Sequence, residues 1–79
     1  MAMTRRWTAE ILLDEDDLGT TRAVVRLDTS EDAHLHGLGT WQDTDLDALP
    51  EVGDDVAVAE ALTQVAAKLR QHAAVRATP

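Results

Sequence analysis

The spacing of apolar residues in this chain changes once, near Pro50, and that change restricts the fold more than any other feature of the sequence. Before it, three runs repeat every two residues. WTAEILLD places Trp7, Ala9, Ile11 and Leu13 on one side and Thr8, Glu10, Leu12 and Asp14 on the other. TTRAVVRLD sets Thr21, Ala23, Val25 and Leu27 against Arg22, Val24, Arg26 and Asp28. HLHGLGTW sets Leu35, Gly37, Gly39 and Trp41 against His34, His36, Leu38 and Thr40. A period of two belongs to half-buried strands. DEDDLG (14–19) and TSEDA (29–33) carry turn chemistry between them.

After Pro50 the period lengthens. Val52, Val56, Ala59, Leu62, Ala66, Leu69 and Ala73 recur at three and four residues, and Val58 and Val65 widen the stripe. Pro50 suits a first helical turn, and Glu51, Asp54 and Asp55 complement the positive end of the helix dipole. Gly53 is the awkward residue of this first turn, one that allows a start as late as Asp54. The spacing therefore predicts strands over about 6–15, 20–28 and 34–41 and a helix over about 51–74. The fold class expected is α+β: one domain spanning 1–79, a three-stranded antiparallel meander with one long C-terminal helix packed on one sheet face.

The charges agree with one choice of register. Pairing Leu13 with Ala23 sets Glu10 opposite Arg26 and Asp14 opposite Arg22; pairing Leu27 with Leu35 sets Asp28 opposite His34. The helix must approach the third strand closely, and Gly37 and Gly39 supply the room.

Composition enters through the core. With no Phe, Tyr or Cys, the core must come from Leu, Val, Ala, Ile11, Trp7 and Trp41. A light core in a short chain predicts a homo-oligomer, a dimer being the simplest. The absence of Cys excludes disulfides, thiol catalysis and thiolate zinc sites. A formal charge of −8 repels phosphates and anionic lipid and favours, if anything, a basic protein partner. No run approaches the roughly 18 apolar residues of a membrane span, and no signal peptide precedes Trp7, so a cytoplasmic location is expected.

HLHGLGT (34–40) most resembles chemistry. A phosphate loop needs its glycines directly before a helix, whereas Gly37 and Gly39 lie inside a strand pattern. His34 and His36 share a strand face and are weak metal candidates, with Asp28 and Asp32 as conceivable further ligands. DTDLDALPEVGD (43–54) has calcium-loop acids but Ala48 in the glycine place and Asp54 in the glutamate place, so an acidic linker is expected. Ser30, the only serine, has no base placed by any motif. A non-enzymatic protein without cofactors is the reading.

The sheet face away from the helix is the expected interaction surface. Leu12, Val24 and Leu38 form one apolar row across three strands, with Arg22, Arg26 and His36 around it.

WTAEILLDE, HLHGLGT and LPEVGDDVAVAEAL resemble segments of a small actinobacterial family of uncharacterised proteins, grouped by fold with double-stranded-RNA-binding-domain-like proteins. The resemblance covers roughly 7–72, implies strand-strand-strand-helix and assigns no activity. True domains of that fold also have an N-terminal helix, where this chain has only MAMTRR, and present lysines at the start of the C-terminal helix. The matching place here carries Glu51, Asp54 and Asp55, anions where phosphate contacts need cations. The expected function is an interaction or regulatory module acting through protein contacts. The alternatives are double-stranded RNA binding by fold analogy, and a role similar to the acidic antitoxins that inhibit basic ribonucleases.

Overall fold

The computed structural model describes residues 2–30, 33–42 and 50–77. Strands β1 (Thr8–Glu15), β2 (Thr20–Asp28) and β3 (His34–Gln42) form one antiparallel sheet in the order β1-β2-β3, followed by helix α1 (Pro50–Ala77). The expected registers are present: Leu13 opposes Ala23, Glu10 opposes Arg26, Asp14 opposes Arg22, Leu27 opposes Leu35, and Asp28 opposes His34. The β1–β2 turn is closed by Asp16, whose Oδ1 accepts from the Leu18 and Thr20 amides at 2.9 Å each. Gly19 takes φ 82° there, the left-handed region that favours glycine.

The helix packs against β3 and β2. Its contact stripe is Gly53, Ala57, Ala61 and Val65, every fourth residue and mostly small, with Leu69 and Val58 partly buried beside it. Beneath lie Ala23 and Val25 of β2 and the two glycines of β3. A Cβ at Gly37 would sit 2.1 Å from the Ala61 carbonyl oxygen, and one at Gly39 1.9 Å from that of Ala57. The helix backbone therefore rests on the strand backbone, the close approach the sequence predicted.

Three expectations need correction. The helix starts at Pro50 and Gly53 lies inside it, buried, where a Cβ would meet the Trp41 ring at 2.6 Å. The broad stripe through Val52, Val56, Ala59, Leu62, Ala66 and Ala73 is exposed; only its members Leu69, Val58 and Val65 pack. The reason is the glycine pair, which admits a helix face without large side chains. Ile11 and Trp7, assigned to the core, are 46% and 50% exposed, because β1 lies beyond the helix. A helix about 10 Å across spans about two strands spaced 4.8 Å apart, and this one has settled over β2 and β3.

Candidate functional site

One helix on three strands leaves apolar surface in two places. The first is the face opposite the helix. Leu12, Val24 and Leu38 are directly opposed across all three strands, Leu12 and Leu38 exposed and Val24 half-buried between them. Around this row stand Arg22, opposite Asp14 and Thr40, and Arg26, opposite Glu10 and His36. Arg22, Arg26 and His36 are all exposed. All six residues expected to form the interaction surface thus share one face.

Its polar groups bond locally. Arg26 Nε donates to Asp28 Oδ1 at 3.0 Å, turning along its own strand and not across to Glu10. His34 Nδ1 lies 2.6 Å from the same oxygen. The bond from His34, then that from Arg26, holds the Asp28 carboxyl below the usual carboxylate range. A depressed carboxyl pKa stabilises the fold above its unfolded value, and that contribution is lost as pH falls through the folded one. The bonds are solvent-exposed, so the effect on stability is small.

The metal candidates are also placed. His34 and His36 stand on this face, while His72 lines a pocket on the helix side. Among the described residues no group of three or more His, Asp or Glu side chains converges to hold a metal ion. Asp32 and the acidic stretch 43–49 of the calcium-like segment lie outside the described residues.

The second surface was not foreseen. On the helix side of β1, Ile11 and Leu13 are 46% and 45% exposed. At the start of β1 a pocket of about 420 Å³ opens between Arg5, Trp7, Thr29 and Ser30 and the helix residues Leu69, His72, Ala73 and Arg76. At the other end of β1 the acidic turn presents Leu18, 82% exposed. Trp7 followed by alternation suggested a core residue; the available signal was that one helix is too narrow to cover it.

The two sheet edges differ. Along β3, Gln64 Oε1 accepts from the Leu38 amide at 2.9 Å, and Lys68 Nζ donates to the His36 carbonyl, so helix side chains occupy that edge. Among the described residues, no such side-chain cover is seen along β1.

No described helix is long and apolar enough to cross a membrane. No curated protein and no solved structure matches the chain. A family model described as Rv2632c-like matches residues 5–78, a span that contains β1 through α1. This chain therefore belongs to the Rv2632c-like family, which is uncharacterised.

Proposed function

We propose that this protein is a non-enzymatic interaction or regulatory module that acts through protein contacts made by the open sheet face. The observation that carries the reading is the Leu12–Val24–Leu38 row, an apolar strip held in register across the whole sheet and ringed by Arg22, Arg26 and His36. An exposed apolar centre with a charged rim is the anatomy of a protein interface. The net charge of −8 favours a basic partner, as for an inhibitor of a basic enzyme. The resemblance to the double-stranded-RNA-binding fold supports RNA binding less well. The helix start, which would face phosphates, carries Glu51, Asp54 and Asp55, and the cations of the open face are few.

The test is a paired capture from native lysate, with and without nuclease, using the wild-type chain and a Val24→Asp/Leu38→Asp variant with matching circular dichroism. The reading expects a stoichiometric protein retained by the wild type and lost by the variant. Equal retention by both, or partners that disappear with nuclease, would overturn it.

A further inference from the structure

We infer that two copies of this chain pair through β1, antiparallel about a twofold axis at Ile11, into a continuous six-stranded sheet. The inference uses the edge and helix side of β1, a different surface from the open face, and does not rest on that reading.

The two edges point to β1. An uncovered edge strand presents unpaired backbone groups to any other strand, and folds normally block it. This fold blocks β3, by means of Gln64 and Lys68, whereas β1 runs eight residues along the other edge with every residue exposed. Ile11, Leu13 and Trp7 line the helix side of that edge, so a strand added there would cover apolar side chains as well as backbone.

The occupant follows from charge. The chain runs from Arg5 and Arg6 before β1 to Asp14, Glu15, Asp16 and Asp17 at its end and in the turn. Antiparallel pairing with a second copy brings the basic end of each strand to the acidic end of the other. Charge and the length of strand that can overlap restrict the register, an axis near the middle of Thr8–Glu15 pairing most of it. An axis at Glu10 would place Glu10 on itself, and an axis at Leu12 would place Glu10 against Asp14. An axis at Ile11 opposes no like charges. It pairs Thr8 with Asp14, Ala9 with Leu13 and Ile11 with itself, and brings Arg5 and Arg6, before the strand, to the acidic turn that carries Asp16 and Asp17.

The ends are complementary in shape as well. Leu18, exposed in the acidic turn, comes to the end of the second copy's strand where the pocket lined by Arg5, Trp7, Leu69, Ala73 and Arg76 opens. An apolar side chain next to two acids thus meets a pocket lined by apolar and basic side chains, and the twofold makes the contact twice.

Sedimentation equilibrium of the full chain over a concentration series tests this with charge reversals. The wild type is expected to be a dimer. Arg5→Glu and Asp17→Arg should each weaken it by roughly tenfold or more. The double variant Arg5→Glu/Asp17→Arg should recover most of the loss, which a merely structural role for either residue would not produce. A wild type that stays monomeric at its highest soluble concentration would overturn the inference. So would a dimer indifferent to the single reversals, a double variant without recovery, or a dimer abolished instead by Val24→Asp/Leu38→Asp.

Discussion

At Gly37 and Gly39 the added methyl of an alanine meets helix backbone, the carbonyl oxygens of Ala61 and Ala57, which cannot step aside without lifting the whole helix. Gly37→Ala is therefore expected to cost about 3 kcal/mol, at or above the upper end for overpacking a core. Gly53→Ala is expected to cost less, because its neighbour is the Trp41 ring and alanine recovers about 1 kcal/mol of helix propensity. Urea denaturation of both variants checks this; equal losses would contradict the backbone contact. The glycine pair of HLHGLGT was legible in the sequence, since glycines inside a strand pattern announce a close neighbour. Gly53 was not. A glycine near a helix start reads as punctuation, and its contact with Trp41 exists only after the helix has docked on β3. The histidines of the same stretch take surface positions, His34 bonding Asp28.

At the scale of elements, the strands were readable almost to the residue and the helix only in outline. Alternation and opposed charges overdetermine a strand register: a one-residue slip would turn Ala23 and Val25 outward and Arg22 and Arg26 inward. A helix face is specified less tightly, since α1 carries apolar residues around much of its circumference. The larger ones, Val52, Val56 and Leu62, are exposed, and the packed face is the row of small residues fitted to the two glycines of β3. Ala61→Leu is accordingly expected to destabilise the protein by about 2–3 kcal/mol, whereas Val56→Gln should stay within about 0.5 kcal/mol of the wild type. Thermal denaturation of the two variants distinguishes the faces; a larger loss in Val56→Gln would restore the stripe drawn from hydrophobicity alone.

Taken as a whole, the molecule is a two-layer slab of 53 × 26 × 17 Å in which one layer is too narrow for the other. Twenty-eight helical residues extend about 42 Å, beyond the roughly 30 Å of a nine-residue strand, so the helix is long enough for the sheet but not wide enough. The shortfall falls on β1, where the edge and the apolar side chains beneath it are left together. That consequence was not legible from periodicity, which says that a face is apolar without saying what covers it. It follows from geometry: the close approach at Gly37 and Gly39 fixes the helix over β2 and β3. Backbone amide exchange across a dilution series reads whether a second copy covers the surface that this single helix leaves. Outward-facing β1 amides are expected to exchange slowly in concentrated solution and to quicken on dilution, while the Leu38 amide, held by Gln64, stays slow throughout. Fast exchange along β1 at every concentration would contradict it.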